Sequence, residues 1–184
     1  MPELQTLMTG IVFGESPRWH DERLWFSDWG AQEIIAVDLE GKGDVIVRMP
    51  SFPFCIDWLP DGRLLIVSAR DRHLLRREPD GSLVTHTDLS SLSDHPWNDI
   101  VVDGRGNAYI GNIGFNFPGG EFAPGILALV TPDGSARRRS ACARLPAPAV
   151  AAALRPHSSA TRTASRPHSG PPHRCSCFPP RPPP

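Results

Sequence analysis

The sequence predicts an all-β protein whose repeated units form part of a β-propeller. Between residues 10 and 136, short apolar runs alternate with turn residues, and no stretch carries the sustained apolar stripe of a helix. The runs that open at Leu24, Leu64 and Ala108 are spaced by 40 and 44 residues. Four short strands in about 40 to 45 residues are typical of a propeller blade, whereas a β-sandwich requires no fixed repeat.

Each unit contains two apolar runs, and the second run leads into a turn that contains glycine. Gly41 and Gly81 are 40 residues apart, but Gly81 and Gly134 are 53 apart, which predicts an insertion at residues 117–125. The predicted runs are 24–27 and 34–37 in the first unit, 64–67 and 74–77 in the second, and 108–111 and 126–130 in the third.

Three units are fewer than a closed propeller needs. Propellers close with about four to eight blades, so residues 10–136 predict an open arc that follows a short lead of residues 1–9. An open arc exposes sheet faces that neighbouring blades would cover. We expect apolar residues such as Trp25 and Ile66 to promote self-association through these faces.

Residues 137–184 differ in composition from everything before them. All 20 acidic residues and 10 of the 19 basic residues lie in residues 1–136, which leaves nine arginines and no acid in the last 48 residues. This segment is rich in proline and alanine and has few large apolar residues, so we expect it to be disordered. An out-of-frame reading of the gene and a genuine proline-rich extension both explain this composition. Its arginines could attract nucleic acid, but no sequence-specific recognition is expected.

The sequence shows no feature of a membrane or secreted protein. No apolar run approaches the roughly 20 residues that span a bilayer, and the first residues lack the basic and apolar regions of a signal peptide. We therefore expect a soluble, cytoplasmic chain with no membrane partner. Cys55 is the one cysteine before residue 137, so no disulfide framework is predicted, and Cys175 and Cys177 lack a second ligand pair for zinc.

Two residues at strand entrances are candidates for ligand binding. Glu15 could supply a hard oxygen ligand to a divalent cation at the mouth of a propeller channel, or it could be an ordinary solvated glutamate. Asn98 precedes the third unit at the corresponding place and could contact a cation or a hydroxylated ligand, although an Asn-Asp turn explains it equally well. His95 nearby could act as an acid or base, or it could simply be solvated.

Four segments, taken in their order and spacing, carry a resemblance to a known family. They are Gly14-Glu15-Ser16-Pro17-Arg18-Trp19, Leu24-Trp25-Phe26-Ser27-Asp28, Trp97-Asn98-Asp99 followed by Val102-Asp103-Gly104-Arg105-Gly106-Asn107, and Gly111-Asn112-Ile113-Gly114. Together they resemble the family of senescence marker protein, gluconolactonase and luciferin-regenerating enzyme. The resemblance covers about residues 10–136 and implies three blades of an expected six-bladed propeller.

The resemblance implies a divalent-metal-dependent hydrolase that opens lactones. On this basis Glu15 matches the first metal ligand and Asn98 matches a residue that contacts the substrate, while Asp99 has no assigned role. The implied metal is calcium, with zinc, magnesium or manganese as alternatives. The family also uses an asparagine ligand and a catalytic aspartate from later blades, but no Asp, Glu or Asn follows residue 136. Pro96 stands where the family has an arginine, which leaves the substrate class open.

Three interpretations of function remain open. The resemblance favours a lactone hydrolase, and the missing later ligands predict that the 184-residue chain is itself inactive. The alternative is a propeller module that binds a small ligand or a protein without catalysis. The third interpretation is a truncated product with no activity of its own.

Overall fold

The computed structural model describes residues 4–52 and 54–139, and every regular element within them is a β-strand. The twelve strands form three four-stranded sheets, which confirms the predicted fold class. Sheet I consists of β1 (Gly14–His20), β2 (Arg23–Asp28), β3 (Glu33–Val37) and β4 (Gly43–Arg48). Sheet II consists of β5 (Phe54–Trp58), β6 (Leu64–Ser68), β7 (His73–Arg77) and β8 (Leu83–Asp88). Sheet III consists of β9 (Trp97–Val102), β10 (Ala108–Asn112), β11 (Leu127–Val130) and β12 (Ala136–Arg139).

Each sheet is an antiparallel meander in which the strands pair in chain order. The sequence repeat is also a repeat of strand register. Leu24 pairs with Val37 in sheet I, and Ala108 pairs with Val130 at the equivalent place in sheet III. Side chains at matching positions of the repeat therefore face matching directions, because neighbouring residues of a strand point to opposite faces.

Tight turns and one long loop connect the strands. Gly81 has a φ of 88°, and its N–H donates to the carbonyl of Glu78 at 2.9 Å, so this turn uses a backbone conformation that glycine adopts without steric cost. Residues 29–32 and 69–72 join the second and third strands of sheets I and II, whereas residues 113–126 join those of sheet III. The longer spacing in the third repeat is therefore a loop between β10 and β11.

Sheet II packs between the other two sheets, and its first strand, β5, contacts both β1 and β9. The core between the sheets includes the fully buried side chains Ile34, Phe54, Ile56, Leu65, Leu74, Trp97 and Ile110. Burial of each large apolar side chain contributes about 1.5–3 kcal/mol. Ile66 also has no exposed surface, and Trp25 packs against this core. The expectation that these two residues lie on an exposed sheet face is wrong. Sheet II packs against both neighbouring sheets, so the facing sides of the sheets bury each other.

The N-terminal segment covers the outer face of sheet I. Leu7 and Met8 pack against Phe26, Ile35 and Val37, which form a second, smaller core. Several apolar residues of this segment remain exposed, with Val12 at 70%. Within the predicted lead of residues 1–9, the described residues Leu7 and Met8 thus shield the face of sheet I that points away from sheet II.

The buried carboxylate of Asp28 fixes the entry of the chain into β1. Asp28 is 1% exposed, and its carboxylate accepts four backbone N–H donors at 2.9–3.1 Å. The donors are Val12, Phe13, Gly30 and Ala31. Burial raises the pKa of the Asp28 carboxyl, but the four donors outweigh burial and hold it below the ordinary value. A charged carboxylate therefore holds the N-terminal segment against the turn that follows β2.

The last strand crosses the boundary that composition predicted at residue 136. Arg137 pairs with Leu129, and Arg138 pairs with Ala128. The reason is that a strand pairs through its backbone, so a change to arginine-rich side chains does not by itself end a sheet. Residues 140–184, which are all but the first three residues of the predicted disordered tail, lie outside the described residues. No helix in the described part of the chain is long and apolar enough to cross a membrane.

Candidate functional site

Three side chains occupy the same position in the first strand of each sheet. Glu15, Cys55 and Asn98 are the second residues of β1, β5 and β9. Their spacings of 40 and 43 residues follow the period of the repeat. We call the first strand of each sheet (β1, β5 and β9) its inner strand. Because β5 contacts both β1 and β9, the three positions lie at one end of these inner strands. The sequence analysis singled out Glu15 and Asn98, but it gave Cys55 no role.

The thiol of Cys55 contacts one of the two candidates, Asn98. Its Sγ lies 3.5 Å from Oδ1 of Asn98, to which it donates a hydrogen bond, and the residue is 4% exposed. Burial, aided by the nearby carboxylates of Asp99 and Glu15, raises the pKa of the Cys55 thiol to about 12, although a hydrogen bond with Ser16 and the charge of Arg18 act in the opposite direction. The thiol is thus a protonated donor at neutral pH.

Ser16 attaches β1 to β5 directly beside Glu15. Its φ of 52° lies in the left-handed region, and the pairing of β1 with β2 is irregular between Glu15 and Arg18. Ser16 is buried, and its Oγ accepts the backbone N–H of Ile56 at 3.1 Å. A β-bulge of this kind redirects the neighbouring side chain and is often found next to functional sites. Sequence inspection reads Ser16-Pro17 as a plain turn and does not reveal this contact.

Arg18 reaches from sheet I to sheet III. Its Nη2 donates to the carbonyl of Ile100 at 2.9 Å and lies 3.3 Å from the carboxylate of Asp99. The Asp99 side chain is 69% exposed, so the ion pair itself contributes little to stability. The effect of Arg18 is geometric, because its side chain links β1 to β9.

Asp57 lies two residues after Cys55 on β5 and ties β5 to β9. Its Oδ2 accepts the N–H of Val102 at 2.7 Å, and its Oδ1 accepts the N–H of Trp58 at 2.9 Å. Burial raises the pKa of the Asp57 carboxyl, which these backbone donors offset only in part. The sequence analysis did not single out Asp57, since nothing in the sequence distinguishes it from a surface aspartate.

Asn112 holds the segment that leads into β9. Its Nδ2 donates to the carbonyls of His95 and Pro96 at 3.0 and 2.8 Å. This contact sets the start of the strand and hence the position of Asn98. The imidazole Nδ1 of His95 is buried without a hydrogen-bond partner in the described residues. No hydrogen bond among the described residues connects the His95 ring to Glu15 or Asn98.

Glu15 also borders an apolar cavity on the outer side of sheet I. The cavity has a volume of about 400 Å³ and lies between the N-terminal segment and the sheet. Its walls include Leu7, Met8, Leu24 and Phe26. Glu15 is the one charged residue of its lining, and it is half-buried.

A divalent cation needs several oxygen ligands that converge on one point. Glu15 offers a carboxylate and Asn98 an amide, which are ligand types that hard cations use. Calcium takes about six to eight oxygen ligands. Within residues 4–52 and 54–139, no three His, Cys, Asp or Glu side chains converge to form a metal site. The residues present therefore do not by themselves fit a complete cation site.

Four-stranded meanders that pack face to face and meet along their first strands define the β-propeller class. Within this class, the chain belongs to the family described as the SMP-30/Gluconolactonase/LRE-like region, whose model matches residues 13–145. The resemblance stated from the sequence motifs is thereby confirmed. A search among curated proteins found no significant match to the sequence.

Solved structures share the fold at low sequence identity. A gluconolactonase from Xanthomonas campestris is 21% identical with a TM-score of 0.61, and the match covers 73% of this chain and 49% of that one. The calcium-binding protein regucalcin from Agrobacterium tumefaciens is 23% identical with a TM-score of 0.57, covering 71% and 43%. A luciferin-regenerating enzyme is 18% identical with a TM-score of 0.56, covering 68% and 44%. The chain thus matches slightly less than half the length of these structures.

Proposed function

We propose that this chain supplies part of the active site of a divalent-cation-dependent lactone hydrolase of the gluconolactonase type. Glu15 is the proposed ligand of the cation, and Asn98 is the proposed contact to the lactone. One observation carries the proposal: Glu15 and Asn98 occupy equivalent positions on β1 and β9, with Cys55 between them on β5. Membership of the family supports the reaction class.

The charges around the inner strands also support a cationic ligand. Asp99 and Arg18 influence the pKa of both Cys55 and Asp57, so these groups lie in one neighbourhood, and Glu15 acts on Cys55 as well. The carboxylates of Glu15, Asp57 and Asp99 outnumber the single guanidinium of Arg18. Such an excess of negative charge attracts cations and raises their local concentration.

Calcium is the proposed ion because a regucalcin that shares the fold is described as calcium-binding, and zinc, magnesium and manganese are the alternatives. Since the described residues do not complete a cation site, hydrolysis requires ligands from outside them. We therefore expect the 184-residue chain to hydrolyse lactones no faster than the uncatalysed reaction. Glu15 then binds the cation, and Asn98 contacts the lactone, only when the remaining ligands of the cation are supplied.

The test compares this chain with an extended chain. In the extended chain, the residues after 136 are replaced by those that an alternative reading frame of the gene encodes. Glucono-lactone hydrolysis is followed by acid release, with and without a chelator. The extended chain is expected to show chelator-sensitive hydrolysis. Glu15→Gln should lower it by about 100-fold or more, because loss of a residue that only orients a metal ligand already costs about 10–100-fold. Glu40→Gln, at an exposed glutamate, is the matched control and should leave the rate unchanged. Equal rates for the two variants would refute the role of Glu15.

A binding module without catalysis is the second candidate. The observation that favours it is the absence of three converging metal-ligating side chains in the described residues. Calorimetric titration of the extended chain with calcium and with glucono-lactone separates the two candidates. Lactone binding that survives chelation, without any hydrolysis, would support the binding module over the hydrolase.

A further inference from the structure

The hydrogen bond between Cys55 and Asn98 determines which part of the Asn98 amide is left free. An asparagine amide carries an oxygen that accepts and an NH₂ group that donates, and its surroundings decide the direction in which each points. Sγ of Cys55 lies 3.5 Å from Oδ1 of Asn98, and Cys55 is 4% exposed. The buried S–H group therefore has the amide oxygen as its acceptor.

The opposite orientation of the amide would leave the buried S–H without this acceptor. The Ser16 hydroxyl also contacts the Cys55 sulfur, but it lowers the pKa of the thiol and therefore acts as a donor to it, so among the described residues Oδ1 of Asn98 is the acceptor of the S–H group. Buried polar groups are usually paired, and leaving one unpaired costs free energy. The contact thus selects one of the two amide orientations, although a thiol is a weak donor.

We propose that Cys55 is a positioning residue that turns the Asn98 oxygen toward β5 and leaves the Asn98 NH₂ group free to donate to a ligand oxygen. Asn98 then recognises a carbonyl or hydroxyl oxygen, and it does not coordinate a cation through Oδ1. This inference rests on the proposed function only in naming a lactone as the molecule that carries the oxygen. It separates the roles of the two equivalent positions, since Glu15 can only accept and Asn98 is held as a donor.

The infrared frequency of the Cys55 S–H stretching band measures the hydrogen bond between Cys55 and Asn98. This measurement does not require enzymatic activity. The experiment uses the full chain with Cys142, Cys175 and Cys177 replaced by serine, so that Cys55 is the only thiol. Infrared spectra are recorded for this chain and for Asn98→Ala, Asn98→Asp and Asn116→Ala. Asn116 is an exposed loop asparagine and provides the matched control. Tryptophan fluorescence verifies that each variant is folded.

Opposite shifts are expected for the two Asn98 variants. Asn98→Ala removes the acceptor and should move the band to higher frequency, whereas Asn98→Asp supplies a stronger, charged acceptor and should move it to lower frequency. Asn116→Ala should leave it in place. A band that neither Asn98 variant moves would overturn the proposal. If Asn98→Ala fails to fold, the Asn98→Asp spectrum alone decides, because an unshifted band in that variant would also overturn the proposal.

A second readout addresses the free NH₂ group. The side-chain NH₂ signals of Asn98 are identified in nitrogen–proton NMR spectra by their loss in Asn98→Asp. Cys55→Ser retains a donor and should leave these signals in place, whereas Cys55→Ala removes it and should shift or broaden them. Identical spectra for both Cys55 variants would contradict a positioning role. Loss of hydrolysis in the extended chain tests the proposed function separately, so either idea can fail while the other stands.

Discussion

Arg18 on β1 donates a hydrogen bond of 2.9 Å to the backbone carbonyl of Ile100 on β9. The two residues are 82 positions apart in the sequence, and β5 contacts both of their strands. One side chain therefore connects the first sheet with the third, close to the strand ends that carry Glu15 and Asn98. Arg18 is part of the site's framework, and no motif of the sequence assigned it this role.

Replacing Arg18 by methionine should lower the free energy of unfolding by about 1–2 kcal/mol, because the carbonyl of Ile100 loses a charged donor. The ion pair with exposed Asp99 adds little to this loss. Urea unfolding followed by tryptophan fluorescence measures the change. Arg105→Met, at an exposed arginine of a turn, is the control and should change stability by less than about 0.5 kcal/mol. Equal effects of the two substitutions would show that Arg18 does not link the sheets.

Two buried serines provide a matched comparison for the bulge beside Glu15. Ser16→Ala leaves the N–H of Ile56 without its acceptor and should cost about 1–3 kcal/mol. Ser27 is fully buried, and its Oγ has no hydrogen-bond partner in the described residues. Ser27→Ala should therefore be neutral or slightly stabilising. If chemical unfolding ranks the two variants in the reverse order, the contact between β1 and β5 is not as described.

Asp28 should make the fold sensitive to acid. Its pKa in the folded chain lies below the ordinary value of 3.8, so its contribution to stability is present above that value and is lost as pH falls through the folded pKa. Asp28→Asn should cost about 1–3 kcal/mol at neutral pH and progressively less in acid. Unfolding at a series of pH values measures this difference. Asp21→Asn, at a side chain that is 83% exposed, should show no such dependence.

His86 should affect stability at higher pH than Asp28. Burial, followed by the charges of Arg76 and Arg63, lowers the pKa of His86 below 6.5, and its Nδ1 lies 3.2 Å from Nη1 of Arg76. The unfolded chain then binds a proton before the folded chain does, so stability should decline as pH falls below 6.5. His86→Gln should flatten this part of the stability curve, with His73→Gln on β7 as the control. An unchanged curve in His86→Gln would contradict this assignment.

The sequence was sufficient to predict the strands, their period and the class of fold. The reason is that alternation of apolar residues and glycine-containing turns are local signals, and Leu24, Leu64 and Ala108 repeat them at a nearly constant spacing. The exposure of Ile66 was wrongly predicted, because it depends on which sheets cover each other. Composition marks a boundary after residue 136, but it does not report the backbone pairing of Arg137 in β12.

The candidate site was predictable only where motifs mark it. Glu15 and Asn98 lie in recognisable segments at strand entrances, whereas Cys55 lies in a segment without a distinctive pattern. Its role becomes visible only when β5 is placed between β1 and β9. The contacts of Arg18 and Asp57 span 82 and 45 residues, and such distant pairs cannot be derived from local sequence patterns. The repeat offered one usable signal, because positions 15, 55 and 98 share the same place in each unit.

Disulfide trapping tests most directly whether Cys55 and position 98 face each other at the inner strands. In a chain whose cysteines after residue 139 are replaced by serine, Asn98→Cys should form a disulfide with Cys55 on mild oxidation, since bridging requires close approach of the two side chains. Mass spectrometry of peptides detects the bond. Val101→Cys, at a 40% exposed position of the same strand, should leave Cys55 reduced. A disulfide at position 101 but none at position 98 would contradict the arrangement of β5 and β9 on which the site depends.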